Sequence, residues 1–371
     1  MKIAILGASK PHLPLYLKAK ELGLETYCIA WAEGAFCKDY ADHFHDISII
    51  DKEAIVDLCI RQGIKGIVSN ALEPAVPTMA YVAEKCGFNG ISYSTALTAT
   101  NKVKMRRCIE KHRACPQPHF EILNESTYSI DTFPVIIKPS DSSCSNGVSK
   151  VTCQEELDVA IRNAFSVSNQ HKVLVEEYIE GKEISVESIS FHNKHYILTI
   201  TDKETTGAPH FVETAHHQPS QLNLDLQKKI KTYTNNILNA IGISNGAAHS
   251  EFKIDADGNV YFIEVGARGG GDFISYQLVE LSTGYDYIKG MIEVALNQFT
   301  EPNINEGKKS GVYFLSKETS KIKSFIEENY KQPWMIDYHI ENKPLIELTK
   351  SQDRIGYFIY QGDHKIIVNN Q

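Results

Sequence analysis

Nowhere in its 371 residues does this chain carry an apolar run approaching the roughly 18 residues that a membrane span requires. Its amino terminus, MKIAILGAS, lacks the charged, apolar and small-residue order of a secretory signal. No membrane partner is expected, and a cytoplasmic location is. The eight cysteines include no C-x-x-C pair, so they read as reduced thiols and not as a disulfide frame or zinc site. Basic excess is missing as well: 38 Lys and Arg stand against 46 Asp and Glu, a net charge of −8. Nucleic acid is therefore not an expected partner, and any anionic ligand must be held by local cations. After Gly7 the fingerprint G-x-G-x-x-G is absent, which counts against a dinucleotide site at the first strand. The signatures G-x-x-x-x-G-K-[ST] and H-R-D are missing too, which removes support for two common phosphate-handling classes.

What is present suits a globular chain, with 42% hydrophobic and 23% charged residues. The length calls for two or three domains. Residues 2–6, 26–30 and 66–70 read as short apolar strands, and 13–22, 51–62 and 76–86 as helices. That alternation predicts a parallel sheet covered on both faces, an α/β domain over 1–95. A basic amphipathic helix is predicted over 98–112, carrying Lys102, Lys104, Arg106, Arg107 and Lys111, and a solvated face is the simplest account of such a run. Cys115-Pro116-Gln117-Pro118 then marks a boundary. Beyond it the pattern becomes mixed α+β: a strand at 134–139, a helix opened by Thr152 and Glu155 at capping-box spacing, then strands at 172–179, 183–191 and 195–201. Residues 208–219 (APHFVETAHHQP) read as a polar surface loop, and 222–241 and 277–296 as long helices. A linker at 301–311 leads into a small β-rich region, 301–371, in which no chemistry is apparent.

The chemistry concentrates in HSEFKIDADGNVYFIEVGARGGGD, residues 249–272. This reads as a β-hairpin turning at D-A-D-G-N, with one carboxylate on each strand, Glu251 and Glu264. A four-residue turn would set the two opposite each other; a three- or five-residue turn would split them unless a bulge restored the parity. Facing carboxylates repel unless a cation lies between them, and oxygen ligands suit Mg²⁺. Arg268 and the glycines 269–271 follow, side-chain-free backbone beside a guanidinium, which makes a good anion site. Upstream, Lys138 ends a strand that runs into SDSSCSNGV, a loop able to wrap phosphate with N–H and hydroxyl groups. Cys144 in that loop has no base beside it and is read as incidental. Glu73 follows strand 66–70 at the end where α/β sheets hold ligands. Glu213 and His216 either decorate a surface loop or face a substrate.

These features together resemble the ATP-grasp superfamily, most of all carboxylate–amine ligases of the L-amino acid ligase type. The resemblance rests on the N-K-x-x-M start of the basic helix, VIIKP, the S-x-G-V of the Ser-rich loop, EEYIEGKEISVE, and the E-x(12)-E pair with GARGGGD. It runs from about residue 95 to 300 and implies an ATP-grasp fold over 96–300, two α+β subdomains clamping ATP behind a Rossmann-like α/β domain. It implies that Lys102 and Lys138 contact ATP phosphates and that the loop around Ser143, Ser145 and Gly147 closes over them. Glu176, Tyr178 and Ile179 would hold the adenine and Glu183 the ribose. Glu251 and Glu264 would ligate Mg²⁺, with Mn²⁺ as a substitute, and Arg268 would face the transferring phosphoryl group. Glu213, His216, Gly270, Asp272 and Glu73 would line the site for the carboxylate and amine substrates. The implied reaction is an ADP-forming ligation of a carboxylate, such as an amino acid, to an amine through an acyl phosphate. A purine-pathway or biotin-carboxylase-like enzyme using formate or bicarbonate is the alternative, and a nucleotide-binding regulator a third reading. A homodimer is one expected assembly. Two positions depart from the family pattern: Gly266 stands where many members have an asparagine metal ligand, and Asp272 where a bulky residue can shape the amino-acid pocket.

Overall fold

Four short strands open the chain: β1 (Lys2–Leu6), β2 (Glu25–Ala30), β3 (His43–Asp46) and β4 (Ile67–Val68), paired in parallel in the order β3-β2-β1-β4. Helices α1 (Leu13–Glu21), α2 (Lys52–Gln62) and α3 (Ala75–Cys86) pack with them. Covering on both faces is why β1 and β2 are buried after their first residues. The structure, a computed structural model, describes residues 1–124, 128–142, 146–305 and 307–368. Strand β4 is shorter than the pattern implied. Asn70 lies past its end and is buried, beside Glu73 at the ligand-facing end of the sheet.

The single basic helix is in fact two, α4 (Tyr93–Ala99) and α5 (Lys102–His112). Asn101 breaks them: its backbone is extended and its side-chain oxygen accepts from Lys104 N at 2.9 Å. Lys104, Arg107 and Lys111 face solvent as expected, but Arg106 is 1% exposed.

A small antiparallel sheet follows, made of β5 (Phe120–Leu123), β6 (Val135–Pro139), β7 (Ser149–Val151) and β8 (Val173–Glu177) in the order β5-β8-β6-β7. Helix α6 (Gln154–Val167) buries Leu157, Ala160, Ile161 and Ala164 against Val135, Ile137 and Val175. It starts one residue later than the Thr152/Glu155 spacing implied, so Glu156, not Glu155, accepts from Thr152 N and Oγ1 at 2.8 and 3.0 Å.

The second sheet has eight strands, all antiparallel: β9 (Lys182–Phe191), β10 (Lys194–Thr205), β11 (Glu213–Gln218), β12 (Gly246–Ile254), β13 (Val260–Gly266), β14 (Lys309–Leu315), β15 (Met335–Ile340) and β16 (Gly356–Gly362). Their order is β13-β12-β9-β10-β11-β14-β16-β15. Helix α7 (Leu224–Ile241) lays Ile230, Ile237, Leu238 and Ile241 on it.

Residues 208–219 are therefore not all loop, because β11 lies between β10 and β14. Its polar side chains tolerate burial because neighbouring strands supply partners: Gln218 donates to Thr201 Oγ1 at 2.9 Å, and His217 meets Glu204 and Tyr360, each at 3.0 Å. The helix expected over 277–296 is also interrupted. A π-helical turn, Ile274–Leu278, runs into α8 (Val279–Thr283), and Gly284 ends it before α9 (Tyr287–Ala295). Strands β14, β15 and β16, from the region read as a small β-rich unit, complete the large sheet. No helix among the described residues is long and apolar enough to cross a membrane.

Candidate active site

Between the two antiparallel sheets lies an open cleft of about 1080 Å³, and Tyr178 and Ile179, from the segment 178–181 that joins β8 to β9, form part of its wall. The small sheet contributes Lys138 and Glu176, the large sheet Glu183, Lys203, Glu213, Glu251 and Glu264, and α5 contributes Lys102.

The hairpin settles the question that turn length left open. Residues 255–259 make a five-residue turn between Ile254 and Val260, and the register shifts by one between Glu251 and Phe252, with Ile263 the extra residue on β13. That bulge restores parity, so Glu251 and Glu264 are direct cross-strand partners. Both are ionised, for different reasons. Burial would raise Glu251, but Lys203 and His249 outweigh it and hold the carboxyl well below the usual range; Lys203 Nζ is 2.6 Å from its Oε1. The Lys102 ammonium, 3.2 Å away, lowers Glu264 against burial and the charge of Glu251. Among the described residues no group of three or more His, Cys, Asp or Glu is placed to hold a metal. Two ionised carboxylates facing a cleft are a hard-oxygen donor pair, which suits a divalent cation that draws its other ligands from phosphate oxygens and water.

Behind the cleft, Glu176 is a fully buried counter-ion. Arg106 grips it with Nε at 2.7 Å and Nη2 at 3.1 Å, and Lys138 Nζ lies at 2.7 Å. Burial raises the Glu176 carboxyl, yet the two cations bring it to about 2. Burial lowers Lys138 to about 8 despite Glu176, helped by the charges of Arg106 and Lys102. The side chain of Glu176 is committed here, and its backbone pairs with the neighbouring strands of the small sheet. Lys102 is anchored by donating to Ser142 O at 2.8 Å, where α5 meets the start of the Ser-rich loop. Ser143 and Ser145 lie outside the described residues. Gly147, after them, turns the chain at φ +78°.

At the far end of the cleft, the Tyr178 ring lies between Lys150 and Lys253, with ammonium-to-centroid distances of 3.8 and 5.0 Å, and Phe211 stands beside it. Ile179 is buried next to it, and Glu183 pairs with Lys253 at 3.3 Å.

The remaining candidates separate into two groups. Arg268 Nε is 2.9 Å from Glu73 Oε2, which ties the first sheet's ligand end to the glycine-rich segment. The Arg268 side chain folds back over Gly266, where an added Cβ would lie 3.2 Å from its Cγ, so the guanidinium stem fills the room an asparagine would need. Arg268 itself borders a second, more apolar cavity and not the main cleft. Glu213 and Asp272 are brought together by Arg354, whose Nη2 and Nη1 reach them at 3.1 and 2.8 Å and whose guanidinium covers the Phe314 ring at 3.9 Å. Burial would raise Asp272, but Arg354 and then His216, with Nε2 at 3.8 Å, hold it well below its ordinary value. Gly270 sits deeper, its N–H donating to Glu187 at 3.1 Å.

Sequence reasoning missed Arg106, Lys203 and Arg354. Arg106 looked like one of five surface cations, Lys203 lay two residues past the strand predicted to end at 201, and Arg354 came from the segment in which no chemistry was apparent. The strand in fact runs on to Thr205, which sets Lys203 opposite Glu183.

Comparison with known proteins agrees with this geometry. A family model described as an ATP-grasp domain matches residues 131–276. The crystal structure of L-amino acid ligase from Bacillus licheniformis superposes with a TM-score of 0.82 at 22% identity, covering 98% of this chain and 93% of that one. Alanine–anticapsin ligase of Bacillus subtilis (strain 168) is 26% identical over 326 residues, 72% of this chain and 68% of its own. The carbamoyl phosphate synthase large chain of Clostridium botulinum (strain Loch Maree / Type A3) is 31% identical over 137 residues, 37% of this chain, and there the match spans only 13% of the relative's length. Residues 131–276 match the ATP-grasp domain family, and the chain as a whole has the fold seen in L-amino acid ligase. The sequence similarity extends to an alanine–anticapsin ligase.

Proposed function

We propose that this protein is an ATP-dependent ligase that joins a carboxylate, of the amino-acid class, to an amine, releasing ADP and phosphate. The observation that carries the reading is the cross-strand pair Glu251–Glu264, flanked by Lys102 and Lys203, in a cleft that also holds Lys138 and Tyr178. Phosphoryl transfer requires alignment and charge neutralisation more than covalent help from the protein, and three ammonium groups and a carboxylate pair are what this cleft supplies. A divalent cation held by Glu251 and Glu264 would neutralise phosphate oxygens. Lys102 and Lys138 orient the triphosphate, Glu183 the ribose and the 176–179 segment the base. The substrate carboxylate attacks the γ-phosphorus and ADP leaves; the amine then adds to the acyl carbon and phosphate leaves. Arg268, which borders the neighbouring cavity yet lies within coulombic reach of Glu264 and Glu251, would stabilise the oxyanion of that second step. Glu213, which lines the cleft, together with Arg354, Asp272 and His216, and with Glu73 and Gly270, would bound the substrate space.

The test is incubation of the whole protein with ATP, Mg²⁺ and pooled amino acids, with phosphate release followed and products read by mass. Release that depends on amino acids, with a new amide, supports the proposal. Release only with bicarbonate or formate assigns the protein to the carboxylase type, and no release with any pool makes it a nucleotide-binding protein without turnover.

A pH effect follows from Lys138. Its ammonium is charged below about 8 and neutral above. Phosphate binding favours the charged form, so above pH 8 binding must take up a proton. Affinity for ADP measured by calorimetry should stay level from pH 6.5 to 7.5 and then fall, by up to about tenfold per pH unit. Lys138→Ala should bind more weakly throughout and lose this dependence. A flat wild-type profile between pH 7 and 9 would remove Lys138 from the phosphate site.

A further inference from the structure

Behind Glu251 lies a charged chain that the proposed reaction leaves unused. Glu187 on β9, with no exposed surface, stands directly across from His249 on β12 and is hydrogen-bonded through Oε1 to its Nδ1. The other ring nitrogen, Nε2, meets Glu251 Oε1 at 3.1 Å. The second Glu187 oxygen accepts from the backbone N–H of Gly270 at 3.1 Å, and the carbonyl of Gly270 accepts from Ser275 Oγ at 2.6 Å. Residue 270 has to be glycine here: a Cβ would lie 2.7 Å from His249 Nδ1 and 2.9 Å from Glu187 Oε1. A carboxylate taken wholly out of water is costly unless it is paired and hydrogen-bonded. Here its two oxygens are divided between two parts of the site, one towards Glu251 and one towards the segment that carries Arg268.

We propose that Glu187 and His249 form a positioning unit that fixes the Glu251 carboxylate relative to the backbone at 267–271, so that the cation face and the Arg268 guanidinium keep one spacing. This rests on the roles given above to Glu251 and Arg268. His249 and Lys203 both take Oε1 of Glu251, which leaves Oε2 for the cleft that Glu251 lines. Outer-shell partners of this kind are worth about ten- to hundredfold in metal affinity or activity.

The test compares the full-length wild type with Glu187→Gln, His249→Asn and Gly270→Ala. The primary readout is Mn²⁺ binding in the presence of ADP, followed by paramagnetic resonance, with metal-free ADP affinity by calorimetry alongside. Expected is a rise of about ten- to hundredfold in half-saturating Mn²⁺ for each variant, with metal-free ADP affinity within about twofold of wild type. Glu187→Gln, which keeps an acceptor for Gly270 N–H, should lose less than Glu187→Leu. Gly270→Ala removes no charge, so it decides the matter if the Glu187 variants do not fold. Unchanged Mn²⁺ binding in folded Gly270→Ala and His249→Asn would overturn the proposal, and so would a wild type that binds no Mn²⁺ with ADP. Since this readout needs no turnover, a wild type that binds Mn²⁺–ADP normally but ligates nothing would refute the ligase reading and leave the positioning unit standing.

Discussion

Glu264→Gln is expected to cut Mg²⁺-dependent ATP consumption about a hundredfold or more while leaving the fold intact. Outer-shell partners of a metal already cost up to about a hundredfold when lost, so a direct ligand sets that figure as a floor. The fold should survive because the side chain is half-exposed on an edge strand and glutamine has the same shape. Stability should fall only slightly: amidation removes the repulsion from Glu251 together with the larger attraction of Lys102, which keeps its bond to Ser142 O. The measurement is phosphate release against Mg²⁺ concentration, with circular dichroism for the fold. Turnover equal to wild type in the folded variant would take Glu264 out of the metal site.

Glu176→Leu should have the largest effect on stability. The residue neutralises two cations in a place with almost no solvent: Arg106, Glu176 and Lys138 side chains are 1%, 4% and 6% exposed. Removing one member of a buried ion group costs about 3–5 kcal/mol, because the others remain desolvated and unpaired. Lys138 can lose its proton in response, but a guanidinium cannot, so Arg106 carries the penalty. The control is Lys194→Ala, which breaks a surface pair with Glu301 at 2.7 Å, both groups more than half exposed; it should leave stability close to wild type. Denaturation followed by circular dichroism measures both. Equal losses would show that burial does not set the worth of the Arg106–Glu176–Lys138 group. The triple variant with Met at 106 and 138 should recover part of the loss, since apolar replacement of a whole buried ion group is often neutral.

What the sequence made legible was local. The hairpin at 249–272 could be read because carboxylates interrupt an apolar alternation around a strong turn, and the parallel first sheet because short apolar strands alternate with helices; β3, HFHD, carries no such mark and was not legible. The parity of Glu251 and Glu264 stayed open because a bulge at Ile263 leaves no mark in residue type; it appears only in the register. Strand β11 was misread for a different reason. His216, His217 and Gln218 look solvated in sequence, yet their partners Asp272, Glu204 and Thr201 arrive from elsewhere in the fold. The same holds for the two arginines. Arg106 finds Glu176 seventy positions away, and Arg354 finds Glu213 and Asp272 at separations of 141 and 82. A guanidinium whose partner is that remote cannot be told from a solvated one by pattern or spacing. The Ser-rich loop was legible as a phosphate-binding candidate from its composition together with Lys138 on the preceding strand, and its residues 143–145 lie outside the described residues.

The continuity of the eight-stranded sheet bears on how the protein can be handled in the laboratory. The family match ends at residue 276, which invites trimming the gene soon afterwards. A chain cut at 300 would lose the three outermost ribbons, strip the ladder from one side of Glu213–Gln218, and leave Glu213 and Asp272 without their shared counter-charge. Such a fragment would present a bare, sticky margin to its neighbours, so the tail is part of the sheet's architecture and not an accessory to it.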